Sequence, residues 1–127
     1  MNDFVYVASG LGFTHLGRFS YYDLLLPVIA RSGFLILDPW ILTDASLIDS
    51  AVQAPEGTVQ KNRWIEVNKI IGCNNAEAIK KCSILIAVLD GTDVDSGTAA
   101  EIGYASALGK LIIGYRGDLR PSGDNVG

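Results

Sequence analysis

The chain alternates short apolar runs with longer stretches in which apolar residues recur every three or four positions. Phe4-Val5-Tyr6-Val7-Ala8 is an unbroken β-favouring run that stops at Ser9-Gly10-Leu11-Gly12, which predicts a buried first strand and a glycine-bearing loop. Tyr21, Leu24, Leu25, Val28 and Ile29 then follow helical spacing as far as Ser32-Gly33, and Pro27 should bend that helix. Phe34-Leu35-Ile36-Leu37 is a second buried strand. It leaves through Asp38-Pro39-Trp40 at the same sheet edge where the first strand ends, so Asp38 is expected to face the same cleft as the glycine loop.

Between Thr43 and Asn62 the pattern weakens to a short helix around Ala45 to Val52 and a polar connector through Pro55-Glu56-Gly57. This is longer than a minimal connection and reads as a lid or a partner surface. Trp64, Val67, Ile70 and Ile71 mark a further helix, and Ala76, Ile79 and Lys80 continue one after Gly72. A third strand over Ser83 to Leu89, a helix from Gly97 to Leu108 and a fourth strand over Leu111 to Tyr115 complete the pattern.

Strands alternating with helices imply right-handed crossovers and a mostly parallel sheet, in the order 2-1-3-4. The expected class is therefore α/β, Rossmann-like and doubly wound, formed by a single domain over residues 1–127. The polar tail from Asp118 to Gly127 carries no element, whereas such a sheet ordinarily continues with a fifth strand. A further C-terminal segment and an unusually short domain are both compatible with that ending.

Composition narrows the partners. With 127 residues, of which 49% are hydrophobic, one compact core can bury roughly two-thirds of the unfolded surface. The net charge of −4, with no basic run longer than Lys80-Lys81, gives no electrostatic footprint for nucleic acid or for an anionic membrane. A small molecule is the expected ligand. Cys73, Cys82 and the single histidine, His15, do not make a metal-ligand set, and both thiols read as buried or partly buried. No apolar run reaches the length of a membrane span and Met1-Asn2-Asp3 lacks a basic signal-peptide flank, so a cytoplasmic setting is expected.

The chemistry concentrates after the third strand, in Asp90-Gly91-Thr92-Asp93-Val94-Asp95-Ser96-Gly97-Thr98-Ala99-Ala100-Glu101. Ligands of open α/β sheets bind outside the carboxyl ends of the strands, beside helix N-termini. Asp95 and Glu101 can both point into that crevice, and two carboxylates in one cleft suit chemistry at a sugar anomeric carbon. The helix dipole and free amides would keep Glu101 ionised, as a nucleophile requires. A purely structural alternative stands beside this one. Thr98-Ala99-Ala100-Glu101 fits a capping box in which Glu101 reaches back to the Thr98 amide, and Asp95 or Ser96 could be the N-cap. Asp90 and Asp93 suit turns at strand ends.

Gly10-Leu11-Gly12, with Asp38 ending the second strand, has the outline of a dinucleotide fingerprint, but the third glycine position is His15, which argues against such a site. The loop still lets a small ligand approach the backbone closely. His15 is compatible with a surface or a catalytic position.

Phe4-Val5-Tyr6-Val7-Ala8-Ser9-Gly10, Asn74-Asn75-Ala76-Glu77-Ala78-Ile79, the Asp90 to Ala105 segment and Gly109-Lys110 together resemble the nucleoside 2-deoxyribosyltransferase family, in the same order and over nearly the whole chain. The resemblance implies a flavodoxin-like fold and transfer of 2-deoxyribose between nucleobases through a covalent glycosyl-enzyme intermediate, without a cofactor. It implies that Glu101 is the nucleophile, that Asp95 holds the sugar 5′-hydroxyl and that the Tyr6 hydroxyl orients Glu101. Asn75 falls where some members carry an aspartate assigned to base binding or leaving-group protonation; an amide has no titratable proton to give. Gly10, Phe13, Asp38, Asn75, Asp90, Ser96 and Gly97 are the candidate substrate-binding residues. The family further implies a homo-oligomer with sites shared between subunits, and a deoxynucleoside and a free nucleobase as the small-molecule partners.

Two relatives compete. The 2′-deoxynucleoside 5′-monophosphate N-glycosidases tend to carry serine at the position of Asp95, where an anionic side chain would repel the phosphate. The cytokinin-activating phosphoribohydrolases share an element like Gly97-Thr98-Ala99-Ala100-Glu101 but have glycines where this chain has Asp95-Ser96. A nucleoside is therefore the expected substrate in preference to a nucleotide. A non-catalytic nucleoside or nucleotide sensor is the remaining alternative, and the intact set of Tyr6, Asp95 and Glu101 argues against it.

Overall fold

The computed structural model describes residues 3–118. The strands are β1 (Phe4–Ala8), β2 (Leu35–Leu37), β3 (Ile84–Val88) and β4 (Leu111–Tyr115), all parallel, in the order β2-β1-β3-β4. This is the doubly wound arrangement expected from the sequence. The tail from Leu119 onward, and with it any fifth strand, lies outside the described residues.

The two central strands divide their side chains between the two faces of the sheet with the period of two that pleating imposes. Tyr6 and Ala8 of β1, with Leu85 and Ala87 of β3, pack against α4 (Thr58–Lys81) and α5 (Ser96–Ala107). Val5 and Val7 pack on the opposite face with Tyr21 and Ile29. Val5 to Ala8 are wholly buried, as expected of a strand covered on both faces. That alternation aims the Tyr6 side chain at α5.

The first helical region begins earlier than its apolar spacing indicates. Thr14 caps α1 (His15–Phe19) by accepting from the Gly17 amide at 3.0 Å, and the chain continues through a π-helical segment (Ser20–Leu25) into α2 (Leu26–Arg31). Pro27 has no amide hydrogen for the helical ladder, and the ladder widens just before it: the Leu26 amide donates to the Tyr21 carbonyl, five residues back. The region therefore changes hydrogen-bond register at the place where a bend was expected.

α3 (Ala45–Val52) occupies the weakly patterned stretch and packs against α4. α4 runs unbroken through Gly72, although the sequence reading divides it there. One glycine in a helix interior disfavours it by about 1 kcal/mol, too little to break a helix anchored by the buried Val67, Ala78 and Ile79. Cys82 is buried at its C-terminal cap, whereas Cys73 lies on the outer face and is exposed, contrary to the expectation for both thiols. The end of α5 explains Gly109-Lys110. Gly109 adopts φ +70°, the Lys110 amide donates to the Ala105 carbonyl at 3.0 Å and the Gly109 amide to Ser106 at 3.0 Å, a Schellman closure that favours glycine. No described helix is long and apolar enough to cross a membrane.

Candidate active site

At the carboxyl end of the sheet, β1 passes into Ser9-Gly10 and β3 passes through an acidic loop into α5. Thr98, Glu101, Ile102 and Ala105 recur at three- and four-residue spacing on α5, and Thr98 and Ala105 are buried against the sheet. Glu101 therefore lies on the inner face of the helix, over Tyr6. The Tyr6 hydroxyl donates to Glu101 Oε1 at 2.7 Å, and the Asn75 Nδ2 donates to the same oxygen at 3.3 Å. Among the described residues no hydrogen bond falls on Oε2. The carboxylate is thus fixed through one oxygen and presents the other.

This geometry displaces the capping-box alternative. The Thr98 amide, which a capping box would assign to Glu101, donates to Asp95 Oδ2 at 2.9 Å, and the Thr98 hydroxyl donates to the same oxygen at 3.1 Å. Asp95 is the N-cap of α5. The Thr98 amide goes to Asp95 and is not among the groups that lower the Glu101 pKa. Burial raises it, the hydrogen bonds from Tyr6 and Asn75 pull it back in part, and the nearby Asp95 charge raises it further. Tyr6 is likewise pushed far above an ordinary phenol, by burial first and then by the charge of Glu101, so it serves as a neutral donor.

Both carboxylates open on a cavity of about 420 Å³. Trp64, Asn68, Ile71 and Asn75 form one wall at spacings of four, three and four along a single face of α4. Phe13, Pro39, Trp40, Thr43 and Ile48, with Ser9, Gly97 and Thr98, complete the lining. Among the described residues lining it, only Asp95 and Glu101 are ionisable. The cavity thus combines two carboxylates, suited to hydroxyls and to an electron-poor carbon, with two indoles suited to a neutral planar ring.

Of the substrate-binding candidates, Phe13, Asn75 and Gly97 line this cavity, and Gly10, Asp38, Asp90 and Ser96 do not. Gly10 lets Asp95 approach, since a Cβ there would meet the Asp95 Cβ at 3.1 Å. Asp38 is buried and its carboxylate is occupied by the hydroxyls of Tyr21 and Tyr22, each at 2.9 Å, and by the Trp40 amide at 3.0 Å. Asp90 accepts from the amides of Gly117 and Asp118 at 2.6 and 2.8 Å, which ties the segment after β4 to the loop after β3. Ser96 is exposed in the first turn of α5, and His15 is exposed at the start of α1. Among the described residues no three His, Cys, Asp or Glu side chains cluster as metal ligands would.

Sequence reasoning did not single out Trp40, Trp64, Asn68 or Ile71 as site residues. The spacing of Trp64, Asn68, Ile71 and Asn75 was the available signal, two amides set among apolar residues on one helical face. Trp40 carries none of its own, because its place depends on the turn that Asp38 makes.

A family model described as nucleoside 2-deoxyribosyltransferase matches residues 5–127. No curated protein matches the chain. Solved structures similar to it include a 2-desoxiribosyltransferase from Leishmania mexicana, at 23% identity and a TM-score of 0.62, over 94% of this chain and 67% of that one. A 2-deoxyribosyltransferase from Bacillus psychrosaccharolyticus is similar at 22% identity and a TM-score of 0.63, over 92% and 76% of the two chains. A conserved protein from Enterococcus faecalis V583 is similar at 23% identity and a TM-score of 0.66, over 98% and 70%. At these identities the structural likeness concerns the fold.

Proposed function

The chain belongs to the nucleoside 2-deoxyribosyltransferase family, and from that premise we propose that it transfers 2-deoxyribose between nucleobases through a glycosyl ester on Glu101. The observation that carries this reading is the Tyr6–Glu101–Asn75 arrangement: a half-buried carboxylate held by two neutral donors on Oε1, with Oε2 free of hydrogen bonds from the described residues, in a cavity that Asp95 also lines.

In the first half-reaction Glu101 Oε2 forms a bond to C1′ as the C1′–N bond breaks and the electron pair leaves with the base, which takes a proton from solvent. In the second, a nitrogen of the incoming base attacks C1′, the ester bond breaks and that nitrogen loses its proton. Two displacements at one carbon return the original anomeric configuration. Tyr6 donates to the carboxylate throughout and orients it. Asp95 keeps one oxygen on the α5 cap and offers the other to the 5′-hydroxyl. Asn75 supplies no proton, and its contribution is to orient Glu101.

The homo-oligomer implied by the family is part of the proposal. Phe13 at the cavity rim, with Leu16 and Phe19 just beyond it, is an exposed apolar group suited to a subunit contact. Light scattering on the active protein tests it, and a fully active monomer contradicts it.

The deciding experiment supplies a deoxynucleoside and a different free base. Exchanged nucleoside with retained configuration supports transfer through the ester. Free sugar alone indicates a hydrolase, and binding without turnover indicates a sensor; either result replaces the transferase reading.

A further inference from the structure

Two adjacent tyrosines share one buried carboxylate. Neighbouring residues of an α-helix point about 100° apart, yet Tyr21 and Tyr22 both reach Asp38, one hydroxyl on each carboxylate oxygen, at 2.9 Å. They lie in the π-helical segment, where the hydrogen bonds span five residues in place of four. Their rings meet edge to face with centroids 5.0 Å apart. The third donor to Asp38 is the Trp40 amide, two residues on, at 3.0 Å.

That bond fixes a cavity wall. The Trp40 indole occupies space left by Gly12, where a Cβ would lie 2.2 Å from the indole Cε2, and it meets the Phe13 ring edge-on at 4.8 Å between centroids. Among the described residues its Nε1 is buried without a hydrogen-bond partner, so no polar contact of the indole's own with them fixes it there. The anchor lies behind the indole, in the Asp38 turn.

We propose that Asp38, held by Tyr21 and Tyr22, is a positioning residue that sets the Trp40 wall and thereby the affinity for the nucleobase, without touching substrate and without acting on the C1′ chemistry. The assignment of the base to this wall rests on the function proposed above; the mechanical link from Asp38 to Trp40 does not.

The test uses Asp38→Ala, Asp38→Asn and Tyr22→Phe. For the nucleoside, Asp38→Ala should raise KM about tenfold, the effect of losing the wall's anchoring hydrogen bonds, and leave kcat within about twofold. Asp38→Asn retains an acceptor for the Trp40 amide and should restore most of the loss. Tyr22→Phe should move KM in the same direction by a smaller factor, and carries the test with Asp38→Asn if the alanine variant does not fold. A fall in kcat at unchanged KM in any of the three overturns the proposal.

An independent readout separates the link from the function. The chain has two tryptophans, so Trp64→Phe leaves Trp40 as the sole indole fluorophore. In that background Asp38→Ala should shift Trp40 emission to the red and increase its quenching by acrylamide, and Asp38→Asn should reverse both. Unchanged emission and quenching overturn the positioning proposal even where turnover is normal. Absence of both exchange and hydrolysis in the unaltered protein overturns the functional reading and leaves the fluorescence result to decide this one.

Discussion

Tyr6 in the middle of β1 and Glu101 on the inner face of α5 lie 95 residues apart in sequence and share a hydrogen bond of 2.7 Å. The strand is buried on both faces and the helix is capped independently by Asp95, so each partner is held before the bond forms. Tyr6→Phe removes the donor and leaves the ring. A hydrogen bond to a charged group contributes about 1.5–3 kcal/mol, so kcat/KM should fall roughly 10- to 100-fold. Single-turnover kinetics with a deoxynucleoside check it. An unchanged rate assigns Tyr6 to packing alone.

Asp95 divides its oxygens between the α5 cap and the cavity, and in the proposed function its charge excludes a 5′-phosphate, which would bring about two more negative charges to the same place. Serine also caps helices well, so Asp95→Ser removes the charge without removing the cap. The ratio of kcat/KM for a 5′-monophosphate to that for its nucleoside should rise about tenfold or more, the effect of at least about 1.4 kcal/mol of relieved repulsion. Turnover of the nucleoside itself should weaken. An unaltered protein that already prefers the monophosphate contradicts this role for Asp95.

Gly12 is a packing requirement of the cavity wall. A methyl group at its Cβ position would lie 2.2 to 2.5 Å from three atoms of the Trp40 indole, so something must shift. Gly12→Ala should therefore cost about 1–3 kcal/mol of stability, measured by chemical denaturation. A loss below about 0.5 kcal/mol would mean that the indole moves aside easily.

The sheet order and most elements are legible because the four strands, at Phe4, Leu35, Ile84 and Leu111, read as short apolar runs separated by helical spacing. The burial expected of the second strand is not found: β1 and β3 are largely buried, whereas β2 and β4, the outer strands of the described sheet, are half-buried or exposed. The misreadings have local causes. Gly72 is a weak helix breaker in a well-packed helix, and the start of α1 was hidden because Leu16 and Phe19 face outward. The Glu101 carboxylate could be picked out, but not distinguished from a capping residue. That choice depends on whether Asp95 or Glu101 takes the Thr98 amide, which only the three-dimensional arrangement decides. The shared edge of the strand ends puts Asp38 at the cleft, yet its carboxylate is taken up by Tyr21, Tyr22 and the Trp40 amide, contacts that have no counterpart in residue spacing. The Trp40 wall was invisible for the same reason.

Glu101 should cost the fold stability at neutral pH, because burial raises its pKa above the ordinary carboxylate value and the unfolded chain has no such burial. Between the unfolded and folded pKa values the native state binds the proton more tightly, so stability is highest below the unfolded value and is lost as pH rises through the folded one. Glu101→Gln keeps an oxygen for the Tyr6 hydroxyl and removes the charge. It should abolish transfer, by about 10³-fold or more where covalent catalysis carries the reaction. It should also raise Tm relative to the unaltered protein above pH 7, with the difference shrinking as pH falls through the carboxylate range. The same proton governs activity: the ionised nucleophile is lost as pH falls, so kcat/KM should drop on the acid side with its midpoint above that of an ordinary glutamate. Thermal melts and rate profiles from about pH 4 to 9 on both proteins check the pair of effects. A variant that retains transfer, or that is no more stable than the unaltered protein at neutral pH, removes Glu101 from the role of buried nucleophile.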